Sequence, residues 1–123
     1  MSAITPYLLI ALGSAVGGVA RALLSLAITT RTGELFPWGI LAVNVLGCLV
    51  IGALAAVVER ESLKILLMTG LCGGFTTFSA FSLDALRLLQ AGRPGAAATY
   101  VAVSLALCLL ATWLGWTVAQ LGR

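Results

Sequence analysis

The stretch Gly73-Gly74-Phe75-Thr76-Thr77-Phe78-Ser79-Ala80-Phe81-Ser82 lies in the middle of a long apolar segment, and its reading decides the fold. Two adjacent glycines, two threonines and a Phe-x-x-Phe pair make a poor spanning helix. At bilayer depth, backbone that leaves the helix is tolerated only where its amide groups are buried in protein or face water or an ion. The stretch therefore predicts a third span broken mid-membrane at the double glycine, where φ > 0 is available, and it points to a permeation or ion-binding site. Carbonyls freed there in two symmetry-related copies would gather around a hard cation such as Na⁺. Hydroxyls of Thr76, Thr77, Ser79 and Ser82 supply donors. The phenylalanines bring a different chemistry, because an aromatic ring has a negative face and a positive edge. Rings set edge-on border the path of a small anion without offering a full counter-charge. Spaced three apart, Phe75, Phe78 and Phe81 would equally make one packed face; the glycines and hydroxyl residues around them favour the site.

Working outward, the composition is that of an integral membrane protein. Of 123 residues, 61% are hydrophobic and 9% charged, and the mean hydropathy is +1.13. Nothing is left over for a soluble domain, so residues 1–123 read as a single four-helix transmembrane domain in the lipid bilayer. The formal charge of +3 is explained by cations flanking the bilayer and needs no nucleic-acid partner. Histidine is absent, which removes the commonest general base and metal ligand. With no metal-ligand cluster and no nucleophile beside a base, the chain does not read as an enzyme. Cys48, Cys72 and Cys108 sit within apolar runs without C-x-x-C pairing and read as reduced, packed thiols. The N-terminal apolar run is too long for a signal-peptide core and reads as a retained first span.

Apolar stretches at roughly 7–28, 38–58, 65–90 and 96–119 each hold at least about 20 residues, enough to cross a hydrocarbon core of roughly 30 Å. Short polar punctuation between them (residues 29–37, 59–62 and 92–95) enforces an all-α, up-down-up-down bundle. Both termini then share one side, with Arg60, Lys64 and Arg123, while Arg31, Arg87 and Arg93 lie on the other, with Arg21 two turns inside it. Basic residues so evenly divided specify orientation weakly. One explanation is insertion both ways and pairing as an antiparallel homodimer. Arg21, Asn44, Asp84 and Tyr100, one from each span, fall at similar depth and predict a polar vestibule in which Arg21 and Asp84 neutralise each other.

The block G-G-F-T-T-F-S-A-F-S, with G-x-x-x-R-A at Gly17 to Ala22 and W-G-I-L-A-V-N-V-L-G at Trp38 to Gly47, resembles the Fluc family of fluoride channels, also called CrcB proteins, over all four spans. The resemblance implies a dual-topology homodimer in a bacterial inner or plasma membrane, with two antiparallel pores that let fluoride leave the cytoplasm passively. By position it implies that ring edges of Phe78 and Phe81 contact fluoride, that Asn44 stands at the pore, and that Tyr100 lies near the anion track. Ser79, Ser82, Ser104 and Thr112 fall where hydroxyls of that track are expected. Gly73 and Thr76 match positions whose backbone carbonyls hold a central structural Na⁺ at the dimer interface, Arg21 the arginine of the first span, and Asp84 a frequent acidic position. Cys108 departs from the pattern, near a place where a hydroxyl residue is expected. A small four-span multidrug exporter is the nearest alternative, but it requires a carboxylate in the first span, which is absent here. A non-transporting assembly subunit is the other, and it would tolerate replacement of both Phe78 and Phe81.

Overall fold

A computed structural model describes all residues, 1–123. All regular structure is helical: α1 (Thr5–Thr32), α2 (Trp38–Val57), α3 (61–75), α4 (Phe78–Gln90) and α5 (Pro94–Leu121). Four helical stretches are long and apolar enough to cross a membrane, namely α1, α2, the combined run Glu61–Gln90 and α5. At 28 residues each, α1 and α5 measure about 42 Å. They outrun the apolar pattern at both ends because that pattern marks only what must lie in hydrocarbon, whereas the helix continues through the headgroup layer.

Local chemistry sets the ends. Helix α1 closes on Gly33 at φ 81°, a left-handed conformation suited to glycine, and the Gly33 N–H donates to the Thr29 carbonyl at 2.8 Å. Gly92, at φ 72°, plays the same part after α4. Pro94 opens α5 in its first turn, where a missing N–H is harmless. Side chains then tie the ends together. Arg123 donates to the Ala56 carbonyl at 2.9 Å and pairs with Glu59 at 2.7 Å, joining the end of α5 to the end of α2. At the opposite pole Arg93 donates to the Leu35 carbonyl, joining the α4–α5 turn to the α1–α2 loop. The spans therefore alternate in direction.

Packing relies on small residues more than on a large core. Only 17 of 123 residues are buried, as suits a bundle whose outer faces meet lipid or protein and whose helices associate by close contact. Gly52 lies against the Thr112 carbonyl and Gly115 against the Leu49 carbonyl, so α2 and α5 touch backbone to backbone at two reciprocal points. One buried cluster, Leu41, Phe81, Leu88, Ala97 and Tyr100, joins α2, α4 and α5.

Helix α3 holds two departures from the sequence reading. Its segment Lys64–Cys72 is π-helical, and the Gly73 N–H reaches back to the Met68 carbonyl. More importantly, the double glycine does not break the helix. Gly73 is helical (φ −63°, ψ −36°), and no residue of the stretch has positive φ. Gly74 instead provides proximity, since a Cβ there would sit 2.6 Å from the Ser14 carbonyl oxygen of α1. Helical backbone gives way two residues later, at Thr76 (ψ 155°) and Thr77 (φ −151°, ψ 120°), both extended. Glycine permits a break but supplies nothing to satisfy it. The threonines bring their own capping hydroxyls.

Candidate functional site

The two extended residues fall at the middle of the 30-residue run Glu61–Gln90. Side chains meet several of the backbone groups they free. Thr76 donates both its N–H and its hydroxyl to the Cys72 carbonyl, each at 2.9 Å, closing α3. The Thr77 hydroxyl accepts from the Ala80 N–H at 3.1 Å and caps α4. Asn44 of α2 meets Thr77 at two points, its Oδ1 accepting the Thr77 N–H at 2.8 Å and its Nδ2 donating to the Thr77 carbonyl at 3.0 Å. A side-chain amide thus stands in for a strand neighbour, and one Nδ2–H is left over. Gly47, one turn further along α2, leaves the space that the Thr76 methyl fills. Arg21 of α1 donates to the Thr76 carbonyl at 3.2 Å. The Gly73 carbonyl is left without its helical donor, because the N–H that would complete its bond belongs to Thr77 and goes to Asn44 instead.

Arg21 and Asp84 do not form the expected pair. Asp84 is held by Arg87 on its own helix at 3.6 Å, while the Arg21 guanidinium is drawn to the carbonyl that the interruption strands. Nor do Arg21, Asn44, Asp84 and Tyr100 share one vestibule. Asp84 lines a cavity of about 660 Å³ near the α1–α2 loop, together with Ser25, Thr29, Glu34, Arg87 and Arg93. Asn44 lines a separate cavity of about 220 Å³.

That smaller cavity collects most of the anticipated chemistry. Around it stand Asn44 and Cys48 of α2, Thr76, Thr77, Phe78 and Phe81, and Ser104, Leu105 and Cys108 of α5. The Phe78 and Phe81 rings lie 5.3 Å apart at 49°, and Phe81 continues to Tyr100 at 5.2 Å. Phe81 is buried, whereas Phe78 is 73% exposed. Ser104 Oγ and Tyr100 Oη are buried without any hydrogen-bond partner. An orphaned buried hydroxyl costs about 1–3 kcal/mol. Ser104 lines this cavity, and its orphaned hydroxyl argues for a bound group that completes it. No basic side chain lines the cavity.

The other predicted residues lie apart. Ser79 Oγ is 3.2 Å from the Thr77 hydroxyl, and Ser79 and Ser82 both face outward with Phe78. Thr112 donates to the Cys108 carbonyl of its own helix at 3.1 Å and borders a different hollow with Ile51, Gly52 and Trp116. Cys48, read from sequence as packing, belongs to the cavity wall. Its signal was its place one turn after Asn44, matching Cys108 one turn after Ser104.

Four spanning helices, with a short non-helical segment held by side chains from two neighbours, define a small multi-pass membrane protein with a polar break in its third span. Comparison with known proteins gives the particular kind. The family model described as CrcB-like protein, Camphor Resistance (CrcB), matches residues 8–116, and the chain belongs to that family. Proteins named fluoride-specific ion channel FluC are similar over nearly the whole length. That of Opitutus terrae is 48% identical over 120 residues (92% of this chain and 91% of the relative). Those of Rhizobium etli strain CFN 42 and Methylocella silvestris are 46% and 44% identical, each over 92% of this chain and at least 92% of its own length. These relatives are channels, not enzymes, and the chain is a multi-pass membrane protein of bacterial type.

Proposed function

We propose that the chain is a fluoride-selective channel that lets the ion leave the cytoplasm passively, the reading supported by its family and by the FluC relatives. The observation that carries it is the buried, unpartnered hydroxyl of Ser104 in a cavity walled by Asn44 and by the rings of Phe78 and Phe81. Fluoride is small, strongly hydrated and a strong acceptor, so a pathway must replace its water with donors and still release it. Ser104 and the spare Nδ2–H of Asn44 supply donors at the cavity, the Tyr100 hydroxyl lies further along the same helix face, and ring edges supply weak positive potential. A lysine or arginine on this wall would hold the ion too long.

The functional unit in this reading is an antiparallel homodimer with two pathways. Its support is the outward side of the interruption. Gly73 is exposed, its carbonyl has lost its helical donor, and Phe78, Ser79 and Ser82 are exposed nearby. Broken backbone is not left against lipid, and a second copy would cover it. A Na⁺ ion fits the same place: the free Gly73 carbonyl and the remaining lone pair of the Thr76 carbonyl, taken from two copies, make a set of hard oxygen ligands. When bound, the ion would contribute positive charge that holds the two interruptions together.

The test is fluoride efflux from liposomes carrying the purified protein, followed with a fluoride electrode beside chloride. Rapid fluoride loss with chloride retained is expected. Fluoride flux no greater than in protein-free vesicles, or equal chloride flux, overturns the reading.

A further inference from the structure

Two side chains of the smaller cavity are thiols. Cys48 and Cys108, from α2 and α5, both line it, both are free thiols, and each stands one turn before the point where Gly52 of α2 meets the backbone of Thr112 of α5. Their backbones are fixed by the glycine contacts that bring α2 against α5. The remaining wall offers hydroxyls, one amide and aromatic rings, and nowhere in the chain do three His, Cys, Asp or Glu residues converge. Hard divalent cations, which want several oxygen ligands, find no site here. Two thiolates with no competing oxyanion are the donor set of a soft cation that accepts two-coordinate sulfur ligation. Cys72 is buried and does not line this cavity.

We propose that Cys48 and Cys108 form a dithiol site for a two-coordinate soft cation, and that its occupation closes the cavity to ions. With Hg²⁺ as the probe, each thiol loses its proton and both sulfurs bond the metal, so that Hg²⁺ and two R–SH give Hg(SR)₂ and two H⁺. The product is neutral, bridges α2 to α5 and fills space between Asn44 and Ser104. No oxidant is required.

The experiment has one arm that rests on the channel reading and one that does not. In liposomes, stoichiometric Hg²⁺ is expected to lower fluoride efflux at least tenfold and excess dithiothreitol to restore it. C48S and C108S proteins are each expected to keep more than half of their own untreated rate, and C72S to remain as sensitive as the parent. In the second arm, metal retained through gel filtration is counted, and thiols still open to maleimide after denaturation are mapped by mass spectrometry. The parent is expected to hold one Hg²⁺ per chain with Cys72 as the unprotected thiol. Equal loading of C48S or C108S, protection of Cys72 instead, or a C72S chain that no longer responds overturns the site. Absence of fluoride flux altogether would defeat the channel reading and leave the metal stoichiometry to decide the site.

Discussion

Replacing Asn44 with alanine removes two hydrogen bonds at once, those of 2.8 and 3.0 Å to the N–H and carbonyl of Thr77. Each bond contributes about 0.5–1.5 kcal/mol net, and each backbone group left buried without a partner costs about 1–3 kcal/mol. Helix-to-helix bonds in membranes fall at the low end of such ranges, on average about 0.6 kcal/mol. A combined effect of about 2–4 kcal/mol on the local structure follows, or roughly a thirty-fold to several-hundred-fold rise in the open population of the segment. Hydrogen exchange followed by mass spectrometry reads this directly: peptides covering 76–80 are expected to exchange faster by that factor, while α2 and α5 peptides near Gly52 and Gly115 stay unchanged. Asn44→Asp separates the two bonds, since it keeps the acceptor for the Thr77 N–H but sets a carboxylate against the Thr77 carbonyl. It should protect the segment only in part. If N44A leaves exchange at 76–80 within twofold of the parent, Asn44 does not hold the interruption and the account of the site fails.

Three further outcomes are expected. Phe81→Ala should lower stability by about 3–5 kcal/mol because the ring is buried among Leu41, Leu88 and Tyr100, whereas Phe78→Ala at a largely exposed ring should affect flux far more than the melting temperature; thermal unfolding beside liposome efflux separates them. Gly74→Ala places a Cβ 2.6 Å from the Ser14 carbonyl and should destabilise by about 1–3 kcal/mol, while the nearest atom to a Cβ on Gly73 is 3.7 Å away, so Gly73→Ala should fold as the parent does; size-exclusion profiles after heating compare the two. Because Arg21 serves the Thr76 carbonyl and Asp84 serves Arg87, the stability effects of R21A and D84N should add within about 0.5 kcal/mol, and a larger coupling in the melting data would restore the pairing that the structure replaces.

The number of spans, their alternation and their short connections were legible because a run of some twenty apolar residues has few other destinations. The interruption was harder to place. Gly73-Gly74 is the obvious weak point by propensity, yet which residues leave the helix depends on which freed groups find partners. Those partners, Asn44 and Arg21, are 33 and 55 positions away in the chain. Pairing of charges failed for a related reason: depth along a helix can be counted, but the direction a side chain faces cannot, so Asp84 went to Arg87 on its own helix. Thr112 shares a helical stripe with Ser104 and still bonds its own backbone. Cys48 carried a readable signal in its four-residue offset from Asn44, which is masked when a cysteine in an apolar run is taken as packing. The π-helical turn leaves no mark in apolar periodicity.

The reciprocal glycine contacts between α2 and α5 bear on how an aperture here could vary. Asn44 and Cys48 stand on one of those helices and Ser104 and Cys108 on the other, so half of the wall belongs to a single stiff plate that dilates only by separating two backbones already in touch. The facing half hangs from a two-residue linker between shorter helical pieces. Any widening of this cavity would therefore fall to the ring-bearing side, where α4 joins α3 through two extended residues, rather than to the α2–α5 pair.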